Sequence, residues 1–236
     1  MKILALDSSG LVASVAIVSD DTLLAEYTVN YKKTHSQTLL PMLDEVAKMI
    51  ELDLNSVDAI AVAAGPGSFT GLRIGSATAK GLGLALGKPL VHIPTVDALA
   101  CNLYGCVSLI CPLMDARRSQ VYTGIYTFED GELRIIKEQS PMAVEQIAEE
   151  LNALGREVVF LGDGVPVYRE MLSTLMKVPY RYAPANMNRQ RAASVAVLAQ
   201  QYVKAGKTET AAEHAPDYLR LSQAERERAK AQKEER

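Results

Sequence analysis

Tryptophan is absent from the 236 residues, and phenylalanine, cysteine and histidine occur only three times each. The cysteines, Cys101, Cys106 and Cys111, are odd in number and five apart. That spacing fits neither the CxxC pairs of zinc sites nor a disulfide framework, so buried, reduced thiols are expected. His35, His92 and His214 form no HExxH or HxxxH pair, and neither a metal site nor a catalytic residue is expected from them. Net charge is only −3, which excludes the strong basic field of an autonomous nucleic-acid binder. The longest uncharged run, Ala98 to Met114, is too short for a membrane span and contains Asn102, Gly105 and Pro112. Asp7 interrupts the only stretch where a signal peptide would need its apolar core, so a cytoplasmic chain is expected.

What is present is an ordinary globular balance, 48% apolar and 22% charged, in a length that suits one large or two small domains. The chain also repeats itself. Ile3–Asp7, Ala13–Val18 and Leu23–Tyr27 read as three strands in a meander, and Leu109–Asp115, Gln120–Tyr126 and Leu133–Ile136 repeat the plan. Each first strand ends in an aspartate. Helices are expected near His35 to Ile50, with Thr34 and Gln37 as a capping box and Pro41 as a kink or a later start, and after Ser140–Pro141. The strands Ala59–Ala64 and Val158–Leu161 then run into the glycine turns Gly65-Pro66-Gly67 and Gly162-Asp163-Gly164. Closing helices are expected at Thr70 to Leu86 and Ala192 to Ala205, each stopped by Gly-Lys. Each half therefore reads β-β-β-α-β-α. The pattern resembles two tandem ribonuclease-H-like domains of the actin, hexokinase and Hsp70 type, an α/β architecture. The expected divisions are residues 1–107, residues 108–221 with an insertion at 165–189, and a charged tail at 222–236. The linker is expected near Cys101 to Ser108.

Four features carry chemistry or its bland alternative. Asp7-Ser8-Ser9 stands at a strand end, where open α/β sheets hold ligands, but Asp and Ser also cap turns. Gly65-Pro66-Gly67-Ser68 opens a helix and offers either an anion site or a strand–turn–helix junction capped by Ser68 or Thr70; no Walker loop follows. The corresponding loop of the second half, Asp115-Ala116-Arg117-Arg118, has no glycine to bring backbone close to a phosphate. Its arginines can pair with an anion but cannot rebuild a cradle. A residual nucleotide or anion site would thus draw on Asp7, Ser8, Ser9, Gly65, Gly67, Ser68, Arg117 and Arg118. Lastly, Gly71, Gly75, Ala79 and Gly83 recur every four residues and form a smooth helical stripe, suited to internal packing or to a partner helix.

Ile3-Leu4-Ala5-Leu6-Asp7-Ser8-Ser9, His35-Ser36, the block Gly65-Pro66-Gly67-Ser68-Phe69-Thr70-Gly71-Leu72-Arg73, Asp115-Ala116-Arg117 and Pro216-Asp217-Tyr218-Leu219-Arg220 resemble the TsaB (YeaZ) family. The resemblance runs from the first residue to about Leu221. It implies a non-catalytic dimerisation and scaffold subunit of the machinery that makes threonylcarbamoyladenosine in tRNA. The implied partners are a TsaD-like transferase, a TsaE-like ATPase, tRNA only through the complex, and a second copy when the chain is alone, with no membrane and no cofactor. Docking is expected on the first-half helices, with His35, Leu39, Met42, Gly71, Gly75 and Ala79 as candidate contacts. The competing reading is an active ATPase or phosphotransferase using Asp7 and Gly162-Asp163-Gly164.

Overall fold

The computed structural model describes residues 1–31 and 34–219; the charged tail and Arg220 of the last motif lie outside the described residues. The first half runs β1 (Lys2–Asp7), β2 (Val12–Ser19), β3 (Thr22–Asn30), α1 (His35–Met49), β4 (Ala59–Gly65), α2 (Phe69–Leu86), β5 (Leu90–Pro94) and α3 (Thr95–Ala100). The second runs β6 (Leu109–Asp115), β7 (Gln120–Glu129), β8 (Glu132–Ala143), α4 (Val144–Leu154), β9 (Val158–Leu161), α5 (Gly164–Leu175), β10 (Tyr180–Tyr182) and α6 (Ala192–Lys204). The two sheets, β3-β2-β1-β4-β5 and β8-β7-β6-β9-β10, have the same strand order. In both, the meander pairs antiparallel, and the first strand pairs parallel with the fourth and the fourth with the fifth. No helix among the described residues is long and apolar enough to cross a membrane.

The tandem α/β architecture holds, and three details differ from expectation. First, each half continues past its six elements with a further strand and helix. The segment 165–189 is therefore no insertion: it holds α5 and β10, the counterparts of α2 and β5. Second, Ser140 and Pro141 do not start a helix. They extend β8, pairing with Thr123 and Tyr122, and β8 lies at the sheet edge, where a proline removes no shared hydrogen bond. Third, α1 begins at His35 and runs through Pro41. Thr34 occupies the cap position without a side-chain bond, so the expected box does not form. Pro41 is exposed, and so is Gln37, whose carbonyl an amide at position 41 would have met.

Burial explains the near-continuous apolar strands. Along β1, Ile3 and Ala5 face one side and Leu4 and Leu6 the other, and both sides are covered. Leu4, Leu6, Val15, Ile17 and Val62 pack against Leu39, Met42 and Leu43 of α1 and Ala79 of α2. The opposite face is covered by Ala192, Val195, Ala196 and Ala199 of α6, the last helix of the other half. In the reciprocal exchange, Val96, Leu99 and Ala100 of α3 cover Ile110, Met114 and Tyr126 of the second sheet. Two bonds reinforce the crossing: the Tyr126 hydroxyl donates to the buried Asp97 carboxylate at 2.7 Å, and Arg191 of the α6 entry pairs with Glu26 on β3.

The small-residue stripe of α2 faces inward. A side chain at Gly71 would begin 2.0 Å from the Ser8 carbonyl oxygen, one at Gly75 would begin 2.5 Å from Ser8 Oγ, and one at Gly83 would begin 2.4 Å from Leu90 Cδ1. Gly81, on the outer face of the same helix, meets nothing within 4 Å. Two glycine-to-alanine changes on one helix should therefore have opposite signs. Gly71→Ala is expected to lower stability by about 1–3 kcal/mol, since the clash is with backbone. Gly81→Ala is expected to raise it by about 0.5–1 kcal/mol through helix propensity alone. Denaturant midpoints of the purified chain check both signs.

Candidate functional site

A cleft of about 590 Å³ opens between the halves at the carboxyl ends of β1 and β6. Ser9, Gly67, Ser68 and Phe69 form one wall, Met114, Asp115, Arg117, Tyr122 and Asp163 the other, and Asp217, Tyr218 and Leu219 the rim. This is where an open α/β sheet places a ligand. Three carboxylates and one guanidinium line it, a balance that repels rather than attracts a polyphosphate.

Asp7 does not reach this cleft. Its side chain is 1% exposed, and its Oδ1 accepts from the Ser9 amide at 2.9 Å and the Ser9 hydroxyl at 2.7 Å. The residue closes a turn, as Asp does at strand ends. Burial pushes its carboxyl up to about 6, opposed by the two Ser9 bonds. Ser8 is equally buried and donates to the Gly71 carbonyl at 2.9 Å. The Ser68 amide donates to the Ser9 carbonyl at 2.6 Å, so it is not free for an anion, and Ser68 Oγ caps α2 by accepting from Gly71 at 3.3 Å. Gly65 is pressed against the Asp217 carbonyl and Gly67 against that of Ser9. The glycine block is thus a junction whose glycines admit neighbouring backbone.

In the second half, Asp115 Oδ1 accepts from the Arg117 amide at 2.8 Å and the Tyr168 hydroxyl at 3.0 Å, and Asp163 Oδ1 accepts from the Asp115 amide at 3.1 Å. Both carboxylates hold loops. Arg117, Arg118 and Ser119 adopt φ of 62°, 57° and 56°, a left-handed turn built without glycine. Arg117 lines the cleft and Arg118 points elsewhere on the surface. Of the eight anion-site candidates, the cleft therefore gathers Ser9, Gly67, Ser68 and Arg117, and leaves out Asp7, Ser8, Gly65 and Arg118.

The docking candidates lie mostly on inward faces of α1 and α2. Leu39, Met42, Gly71, Gly75 and Ala79 are buried in the chain's own interior, because their periodicity marks the face that packs on the sheet. Only His35 is partly accessible, and its Nε2 lies 2.9 Å from the Gly10 carbonyl. The helices instead expose Leu40 and Met49 on α1, and Ala77, Gly81, Leu84 and Ala85 on α2. The cysteines carry no disulfide; Cys111 is buried, while Cys101 and Cys106 are half-buried. Burial pushes the Cys101 and Cys111 thiols up to about 12, far from a nucleophile's range. Local spacing missed one association: His92 and His214 lie side by side, with ring centroids 5.8 Å apart.

Two like-ordered sheets, helices exchanged across them and a cleft at the strand ends define a duplicated sugar-kinase-like α/β fold. The ROK hexokinase of Thermus thermophilus shares it, with a TM-score of 0.51 over 87% of this chain and all of that one, at 14% identity. YeaZ from Pseudomonas aeruginosa is far more similar, with a TM-score of 0.79 at 29% identity over 92% of this chain and 99% of that one. The family profile described as TsaD, tRNA N6-adenosine threonylcarbamoyltransferase, matches residues 22–228. The tRNA threonylcarbamoyladenosine biosynthesis protein TsaB of Bacillus subtilis is 34% identical over 99% of this chain and 100% of its own length. TsaB of Escherichia coli is 30% identical over 70% of this chain and 72% of its own. The chain belongs to the TsaB (YeaZ) family.

The Asp7 turn makes a prediction about pH. A folded value of about 6, above the unfolded one, means that the native state holds the proton more tightly; stability contributed below about pH 4 is lost as pH rises to about 6. Asp7→Asn keeps an oxygen acceptor for Ser9 and removes the buried charge. It should stabilise the chain at pH 7.5 by roughly 1–3 kcal/mol, and the gain should vanish near pH 4. Melting curves of both proteins across that range check the sign.

Proposed function

We propose that the chain is a non-catalytic dimerisation and scaffold subunit in tRNA threonylcarbamoyladenosine biosynthesis, one that docks and activates a TsaD-like transferase. The observation that carries this reading is the state of Asp7. The carboxylate that an active member of this fold would aim at a metal-bound water is buried and committed to Ser9. The paired loop at Asp115 supplies capped carboxylates and left-handed arginines instead of a glycine cradle. A TsaE-like ATPase and tRNA then meet the transferase assembly rather than this cleft, in the cytoplasm.

The outer face of α2 supports the docking half of the proposal. Ala77, Gly81 and Ala85 recur every four residues on its exposed side, with Leu84 73% exposed beside them. A smooth stripe flanked by an apolar side chain admits another helix at close range. This outward stripe takes the role expected of Gly71, Gly75 and Ala79. The same face can pair with itself, since a two-fold contact needs only one self-complementary patch, and light scattering of the lone chain should give about twice 25.6 kDa.

Reconstitution with a TsaD-like chain tests both halves. Gly81→Arg should leave melting of the lone chain unchanged or raised, yet weaken the complex at least about tenfold, roughly 1.4 kcal/mol, on size-exclusion or calorimetry. Asp7→Asn should form the complex normally and retain most tRNA-modifying turnover. A fall of about 100- to 10,000-fold with assembly intact is what loss of an acid–base group produces, and it would establish the ATPase or phosphotransferase reading instead.

A further inference from the structure

Beyond the cleft, residues 205–219 cross the first half as a strap. Glu209 forms a two-bond bridge with Leu90 at the start of β5, the Lys80 ammonium donates to the His214 carbonyl at 2.9 Å, and the Asp217 amide donates to the Ala64 carbonyl at 2.7 Å. Where the strap meets β5, two of its metal-ligating side chains, Glu209 and His214, converge with His92 from a distant part of the sequence. Glu209 Oε1 lies 2.6 Å from His214 Nδ1 and 3.8 Å from His92 Nδ1, and one donor atom from each residue falls within 4.8 Å of the others.

The far side of each imidazole is what distinguishes this cluster from a chance meeting of polar groups. His214 Nε2 is 2.9 Å from Ser76 Oγ on α2, and His92 Nε2 is 3.9 Å from Asp217 Oδ2. Each ring thus turns Nδ1 toward the shared carboxylate and Nε2 toward an oxygen. For His214 the second contact is a hydrogen bond, the outer-shell arrangement that orients a histidine ligand and fixes its tautomer. The His214 ring is fully buried, while His92 and Glu209 are 30% and 26% exposed, which leaves an entry path and an open coordination position for water.

We propose that His92, Glu209 and His214 form a site for a divalent transition-metal cation of the zinc type, stapling the strap to β5 and α2. Two imidazole nitrogens and one carboxylate oxygen are the donor set such ions take, and tetrahedral ligands about 2.0–2.1 Å from the ion stand roughly 3.3 Å apart. The two separations from Glu209, 2.6 and 3.8 Å, bracket that value, and the two imidazole donors lie within 4.8 Å of each other, so side-chain rotation is needed to admit the ion. To offer the Nδ1 lone pair to an ion, a neutral His214 carries its proton on Nε2, which then donates a hydrogen bond to Ser76 Oγ. The strap continues into Asp217, Tyr218 and Leu219, so the ion also fixes the cleft rim.

The test uses the full chain, stripped with chelator and titrated with cobalt(II) and zinc chloride. One equivalent should bind, with a visible cobalt band of four- or five-coordinate intensity, displaced by zinc, and zinc should raise the melting temperature. His92→Asn and Glu209→Gln should each weaken zinc binding by about 10- to 100-fold, while His35→Asn leaves it unchanged. His92→Asn alters a partly exposed ring, and its metal-free melting curve establishes that the variant is folded; should Glu209→Gln unfold, His92→Asn alone decides. Absence of stoichiometric binding, or equal affinity in folded His92→Asn, would leave the cluster a hydrogen-bonded clasp only and overturn the proposal.

Discussion

The carbonyl oxygens of Ser8 and Ser9 lie 2.0 and 2.2 Å from where side chains at Gly71 and Gly67 would begin. Contact this close, backbone against backbone, sets the position of α2 over the end of β1. The second half repeats the device. A side chain at Gly162 would begin 2.2 Å from the Leu113 carbonyl, and one at Gly164 would begin 2.9 Å from the same oxygen. In each half, the end of the first strand is pressed into the glycine turn that opens the helix after the fourth. A loop held this way has its polar groups turned inward. Asp7 bonds Ser9, Ser8 bonds Gly71, and the Ser68 amide bonds Ser9, so the three segments are tied together at the end of β1.

Exchange of the two last helices makes the halves one folding unit. α6 completes the core of the first sheet and α3 that of the second, so neither half buries both faces of its sheet without the other. The cleft between them is then a consequence of packing. It keeps a ligand-sized volume, but two of its three lining carboxylates, those of Asp115 and Asp163, are occupied in holding the Asp115 loop. On the exposed sides of α1 and α2, Leu40, Gly81 and Leu84 have no work in the core.

Periodicity made the element order and the duplication legible, because apolar alternation and glycine stops are local signals. It also left Ser68 or Thr70 as the cap of α2, of which the structure uses Ser68, and marked the Asp115 loop as one without a cradle. Four-residue spacing in α2 could not say which of two smooth stripes faces the core, since Gly71, Gly75 and Ala79 and the outer Ala77, Gly81 and Ala85 have the same period. Ser140-Pro141 gave a helix-start signal that an edge strand accommodates equally well. α5 and β10 fall in the stretch expected as an insertion, and β10, three residues long, is too short to show alternation. Which sheet α6 covers, and the meeting of His92 with His214, depend on tertiary packing and have no local signature.

Calorimetric titration of the isolated chain with magnesium and ATP is the most direct measure of whether the nucleotide geometry of this fold has been given over to internal packing. Binding no tighter than about millimolar, worth about 4 kcal/mol, is the predicted result. A micromolar dissociation constant at one site per chain, lost when Arg117 is replaced by alanine, would contradict it.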